Sequence, residues 1–178
     1  MDLGIKNRVA FITGASAGIG LSTAEAFVKE GAKVVICGRN EQKLNDAKNQ
    51  LKKTTGSEVD AYACDTSNFD QVEKTVNQII KVYDKIDILI NNAGKAQAGG
   101  VVDAKPEDWK SMIDVKIYSL INTCKLIAPV MKKNKWGRIV NMSSIGGIYP
   151  NPKLTISHGL SAAINNLTKS LSLDLAPY

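Results

Sequence analysis

Between Thr13 and Gly20 the chain reads Thr-Gly-Ala-Ser-Ala-Gly-Ile-Gly, with glycines at 14, 18 and 20. This G-x-x-x-G-x-G spacing joins a β-branched run to a helical stripe, where the free N–H groups and positive dipole end of a helix receive a pyrophosphate. Glycine lets the backbone turn tightly there and approach a ligand closely. No lysine follows in the manner of a nucleoside-triphosphatase loop, so ATP hydrolysis is not the expected chemistry. Further on, an apolar run ends Cys37-Gly38-Arg39. It offers no carboxylate to accept a ribose 2′-hydroxyl, but a guanidinium suited to a 2′-phosphate. A second cation is picked out by periodicity: Met112, Ile113, Lys116 and Leu120 share one helical stripe, which turns Lys116 inward. A partly desolvated ammonium has a depressed pKa and can exchange protons near neutrality. The alternatives for Lys116 are snorkelling from a helix end or pairing with Asp114 or Asp174.

The elements that must hold these residues alternate along the whole chain. "RVAFIT" (8–13) predicts a buried strand, 17–30 a helix with Gly31 at its left-handed end, and "KVVIC" a second strand. A charged helix over about 41–54 precedes the strand "EVDAYAC". A helix striped by Phe69, Val72, Val76, Ile79, Ile80 and Tyr83 precedes the strand "IDILI". Pro106 opens a long helix to about Lys132, "GRIVNMS" gives a fifth strand, and a last helix runs from about Thr155 to Ala176. Strands alternating with helices predict a single α/β domain over 1–178, a doubly wound Rossmann-type parallel sheet with helices on both faces. The expected strand order is 3-2-1-4-5, with ligands at the carboxyl ends near the switch point between strands 1 and 4.

Composition narrows the function classes. The 178 residues are 44% hydrophobic and 22% charged, an ordinary globular balance. The opening residues carry no signal region and no apolar run is long enough to span a bilayer, so a cytoplasmic protein without a membrane partner is expected. Cys37, Cys64 and Cys124 are scattered and in no C-x-x-C pair, suggesting neither a disulfide frame nor a zinc or other metal site. The net charge of +6 is spread over solvated helix faces, Lys43, Lys48, Lys52 and Lys53 among them, without interleaved aromatics. No nucleic-acid partner is expected.

"TGASAGIG", Asp65 after the third strand, Asn91-Asn92-Ala93-Gly94 after the fourth and "GRIVNMSS" together make the chain resemble the short-chain dehydrogenase/reductase family over nearly its whole length. The resemblance implies a nicotinamide cofactor on Gly14, Ser16, Gly18, Ile19 and Gly20, adenine near Asp65, and Asn91, Ala93 and Gly94 beneath the ribose. It also implies a small carbonyl or alcohol substrate, and a dimer or tetramer built on the long helix and the last one. With Arg39 and no acid after the second strand, NADP(H) is favoured over NAD(H). Family members continue past the position matching Tyr178, so the resemblance implies a domain incomplete at its C-terminus, with the fifth strand an uncovered edge.

The family's hydride transfer uses a serine, a tyrosine acid/base, a lysine four residues later and an asparagine on the preceding helix. Ser144 matches the serine. The tyrosine is due at 157 and the lysine at 161, and both are serine here; the asparagine of "D-V-N" corresponds to Lys116 in "DVKIYSL". A serine hydroxyl is far too weak an acid to replace such a phenol. Lys116 is the candidate to fill the room left at 161 and to serve, with Ser144, as the catalytic pair. His158 turns away along its helix, Tyr149 reads as a surface loop aromatic, and Trp109 and Trp136 read as packing anchors. The rival reading is a catalytically silent cofactor-binding or assembly module.

Overall fold

Every residue of the strand Val9–Thr13 (β1) is buried, and its alternate side chains feed two separate cores. The computed structural model describes residues 2–178. Val9 and Phe11 face one core with Val35, Leu89, Val72, Val76, Ile79 and Ile127. Ala10 and Ile12 face the other with Val34, Ile36, Ile88, Ala24, Leu44 and Leu51. A strand buried on both faces must be apolar at every position, which is why "VAFIT" reads as a continuous run rather than an alternation.

The sheet is parallel and five-stranded, in the order β3-β2-β1-β4-β5, with β2 at Lys33–Gly38, β3 at Asp60–Ala63, β4 at Ile88–Asn91 and β5 at Arg138–Asn141. Helices α1 (Gly18–Lys29) and α2 (Glu41–Thr55) cover one face. Helices α3 (Phe69–Tyr83), α5 (Ser119–Lys133) and α6 (Thr155–Leu175) cover the other. The expected fold and strand order are therefore what forms, with strands 3 and 5 one or two residues shorter at each end than the runs EVDAYAC and GRIVNMS. Gly31, at φ 78°, ends α1 in the left-handed conformation. Among the described residues β5 pairs only with β4 and is an edge.

The long helix expected from Pro106 to Lys132 is not continuous. It consists of α4 (Pro106–Ile113), a π turn over Asp114–Tyr118, and α5. In the π turn the Ser119 N–H reaches back to the Asp114 carbonyl, and the Ser119 hydroxyl donates to the same oxygen at 3.4 Å. An extra residue in one turn rotates everything before it relative to everything after it, and such turns concentrate at functional sites. Lys116 is at its centre. A small satellite core of Met112, Ile156 and Leu160, with Trp109 against it, ties α4 to α6.

Candidate active site

The carboxyl ends of β1 and β4 are locked together by side chains that periodicity does not single out. Thr13 Oγ1 accepts from the N–H groups of Asn92 and Ala93, each at 3.0 Å, and donates to the Ile90 carbonyl at 3.3 Å. The Asn92 amide donates back to the carbonyls of Thr13 (3.0 Å) and Gly14 (3.1 Å). This clasp fixes the glycine loop against the segment after β4, where the strand order reverses.

The loop glycines serve two needs. Gly14 and Gly18 have φ of 63° and 56°, a conformation other residues adopt only at a cost. Gly20 is required by proximity: a Cβ there would lie 2.5 Å from Asn92 Nδ2 and 2.7 Å from the Gly14 carbonyl. At Gly18 a Cβ would meet nothing within 4 Å. Ala17, the residue before α1, supplies no side-chain cap, whereas Asn40 and Asn68 cap α2 and α3 by accepting from the N–H of Lys43 and Gln71. The first turn of α1 thus keeps donors for an anion. A cradle with room at Gly18 and no cap fits a diphosphate.

The cleft beside this loop has two compartments. The smaller, about 200 Å³, is lined by Ser16, Gly38, Arg39 and Asp65. The larger, about 470 Å³, is lined by Ile19, Asn91, Lys116, Ser144 and Ser157. Gly14, Ala93 and Gly94 belong to both. Of the candidate residues only Gly18 and Gly20 stand outside these linings, the second because it is packed into the floor. Arg39 is exposed. Asp65 accepts from the Ser67 N–H (3.0 Å) and hydroxyl (2.7 Å), which orients its carboxylate in the loop after β3. Asn91 lines the cleft, but its amide is committed inward: it accepts from Thr123 at 2.7 Å and donates to Asn141 at 2.8 Å.

Lys116 projects from the π turn toward α6. Its Nζ donates to Ser161 Oγ at 3.3 Å and to the Ser157 carbonyl at 3.4 Å. Neither carboxylate considered as a partner takes it, since Asp114 pairs with Lys110 at 2.8 Å and Asp174 with Lys132 at 3.1 Å. Burial lowers the Lys116 pKa below the ordinary lysine value, and no partner raises it again. Ser161, fully buried, donates to the Ser157 carbonyl at 2.8 Å and accepts from Ser144 Oγ at 3.0 Å. Lys116, Ser161 and Ser144 therefore form one hydrogen-bonded line along the wall of the larger compartment, from the half-buried lysine through the buried Ser161 to the exposed Ser144. Ser161, at the position where the family's lysine is missing, is thus the link between Lys116 and Ser144.

The remaining candidates stand apart from this line. Tyr149 is 70% exposed and outside the cleft lining. His158 Nδ1 accepts from the Asn151 N–H at 2.9 Å, and its ring packs on Gly146, so it braces the loop after β5. Trp136 sits under Arg8, 3.6 Å from the guanidinium to the ring centroid, as a packing anchor.

A doubly wound parallel sheet with an uncapped glycine loop at its switch point defines a dinucleotide-binding domain. Comparison with known proteins makes this specific: residues 8–178 match the short chain dehydrogenase family, and the chain belongs to it. A 3-oxoacyl-(acyl-carrier-protein) reductase of Thermotoga maritima is 34% identical over 172 residues, covering 97% of this chain and 70% of that protein. An uncharacterized oxidoreductase of Staphylococcus epidermidis is 36% identical over 172 residues, covering 97% and 73%. Among solved structures, L-sorbose reductase of Gluconobacter frateurii complexed with NADPH and L-sorbose matches with a TM-score of 0.94 at 31% identity, covering 99% of this chain and 67% of that one. NAD+-bound xylitol dehydrogenase matches with a TM-score of 0.93 at 30% identity, covering 98% and 67%. The chain is thus a member of an oxidoreductase family that uses nicotinamide cofactors and small-molecule substrates. No helix among the described residues is long and apolar enough to cross a membrane.

Proposed function

We propose that this protein is an NADP(H)-dependent oxidoreductase of carbonyl or alcohol substrates whose proton donor is Lys116, acting through Ser161 and Ser144. The observation that carries this reading is the line Lys116 Nζ, Ser161 Oγ, Ser144 Oγ, with steps of 3.3 and 3.0 Å, ending on an exposed serine in the larger compartment. Gly14, Ser16, Gly18, Ile19, Gly20, Ala93 and Gly94 would hold the cofactor, Asp65 would face its adenine, and Arg39 would take a 2′-phosphate. When bound, the cofactor supplies or accepts the hydride.

The chain's own residues do the rest. In reduction, Ser144 Oγ donates to the substrate oxygen while Ser161 turns to donate to Ser144 and Lys116 donates to Ser161, so the proton leaves the ammonium and arrives at the new hydroxyl. Both serine hydroxyls must rotate, because at rest Ser144 donates to Ser161 and Ser161 to the Ser157 carbonyl. Oxidation runs the line backwards from a neutral Lys116. A homo-oligomer formed through the outer faces of α5 and α6, a groove of about 650 Å³ floored by Ile121, Ala128, Pro129 and Leu167, is part of the same reading. We place the protein in the cytoplasm. A silent cofactor-binding module is the second reading, favoured by serine at 157, where the family's phenol is due, and at 161, where its lysine is due.

Titration of the full chain with NADPH and NADH, followed by NADPH oxidation against a carbonyl panel, tests both readings. NADPH is expected to bind at least about tenfold more tightly, with Arg39→Ala removing most of the difference, since one charge-assisted phosphate contact accounts for that much. Equal affinities in the parent refute the cofactor assignment. Tight binding with no turnover of any carbonyl or alcohol selects the silent module.

A further inference from the structure

One charged side chain stands in the wall of both compartments. Gly14, Ala93, Gly94, Lys95 and Ser119 form the saddle between them, and Lys95 alone of the five is ionised. A ligand occupying both compartments crosses this saddle. In a dinucleotide the two halves are joined by a diphosphate, so the part that crosses is the part where negative charge is concentrated. Gly14, which begins the loop leading to the uncapped end of α1, lines the same saddle.

Lys95 is built to be available there. It stands two residues after Ala93, whose N–H, like that of Asn92, is bonded to Thr13 at 3.0 Å, so its segment starts from the clasp while its side chain is exposed. Its Nζ donates to the Ser111 hydroxyl of α4 at 3.0 Å. It joins no ion pair among the described residues, whereas nearby Lys110 is neutralised by Asp114. The Ser111 hydroxyl offers the ammonium no opposite charge, whereas a phosphate adds Coulomb attraction to the hydrogen bond, which favours exchange of Ser111 for a phosphate.

We propose that Lys95 is an anion-binding residue that leaves Ser111 to hold the diphosphate bridge of the bound dinucleotide. The inference rests on the nicotinamide-cofactor reading above and adds a division of labour: Arg39 discriminates the 2′-phosphate, and Lys95 holds the diphosphate whichever cofactor is present.

The test is calorimetric binding of ADP-ribose and adenosine 2′-monophosphate to the full chain, its Lys95→Met, Lys95→Arg and Arg39→Ala variants. Lys95→Met should weaken ADP-ribose about tenfold, the weight of one charge-assisted bond, and leave adenosine 2′-monophosphate unchanged. Arg39→Ala should do the reverse. Lys95→Arg should retain most ADP-ribose affinity, and added salt should weaken ADP-ribose binding more steeply in the parent than in Lys95→Met. Unchanged ADP-ribose affinity in a folded Lys95→Met variant overturns the proposal while leaving the cofactor reading standing. A loss confined to adenosine 2′-monophosphate also overturns it, by moving Lys95 to the 2′-phosphate. A parent that binds neither ADP-ribose nor either dinucleotide overturns the cofactor reading, and the role of Lys95 falls with it.

Discussion

Replacing Lys116 by methionine removes the ammonium while keeping most of the side-chain volume, and the geometry sets what this should cost. The two bonds lost are long, 3.3 and 3.4 Å, and the Ser157 carbonyl keeps its 2.8 Å bond from Ser161, so no buried acceptor is orphaned. Relief of the burial that depresses the Lys116 pKa works the other way. The net effect on stability should therefore stay within about 1 kcal/mol. The effect on turnover is a different matter. A positioned general acid contributes about 10² to 10⁴ in rate, so kcat for carbonyl reduction should fall by that factor with cofactor affinity nearly intact. The pH dependence fixes the sign. Reduction needs the protonated amine, so its rate is full below the lowered folded pKa and is lost as pH rises through it; alcohol oxidation rises over the same window. Because the unfolded chain holds this proton to higher pH, the parent also gains stability relative to Lys116→Met between the folded and unfolded pKa values. Steady-state NADPH oxidation across pH, with parallel urea unfolding, measures both. A Lys116→Met variant that reduces its substrate as fast as the parent, with an unshifted pH profile, refutes the relay.

Two further expectations concern the frame. Gly20→Ala should destabilise by about 1–3 kcal/mol and weaken ADP-ribose binding, because its Cβ meets Asn92, the Gly14 carbonyl and Ala15 Cα within 2.9 Å and would prise open the clasp; urea unfolding and calorimetry check it. Asp87, 4% exposed, accepts from the Val9 N–H at 2.8 Å and pairs with Lys85 at 2.9 Å and Arg8 at 3.1 Å. Burial raises its pKa, but these three partners outweigh that and hold it below the usual carboxylate range. Its contribution is therefore present above the unfolded pKa of about 3.9 and lost as pH falls through the folded value. Asp87→Asn should cost about 1–2 kcal/mol near neutral pH and flatten the acid limb of the stability profile below about pH 4, as read by thermal unfolding.

The sheet was legible because its determinants are local. Strands buried on both faces spell unbroken β-branched runs, helices spell stripes, and right-handed crossovers leave one sensible order. The interruption at Asp114–Tyr118 was not legible, since a π turn inserts one residue into a pattern that still reads as helical, and nothing in "DVKIYSL" marks it. Yet that turn is what aims Lys116. The stripe through Met112, Lys116 and Leu120 gave the right direction, inward, for an incomplete reason.

The site itself divides by the same rule. Glycines that must turn or pack closely announce themselves, and the loop from Gly14 to Gly20 was readable as a phosphate cradle. Thr13, Asn92 and Ser161 were not, because each works by a hydrogen bond to a residue distant in sequence: Thr13 to Asn92 across the sheet, Ser161 to Lys116 across two helices. Ser157 and Ser161 looked like losses while positions were compared one at a time with a family pattern. In three dimensions Lys116 Nζ lies beside Ser161, so the space for a cation next to Ser144 is already taken, from the neighbouring helix rather than from α6. A lysine added at 161 would bring a second ammonium beside the half-buried Lys116, and repulsion of that kind costs more than either bond contributes. Ser161→Lys alone should therefore destabilise the fold, and Ser161→Lys combined with Lys116→Asn should recover most of the loss, as urea unfolding of the single and double variants measures.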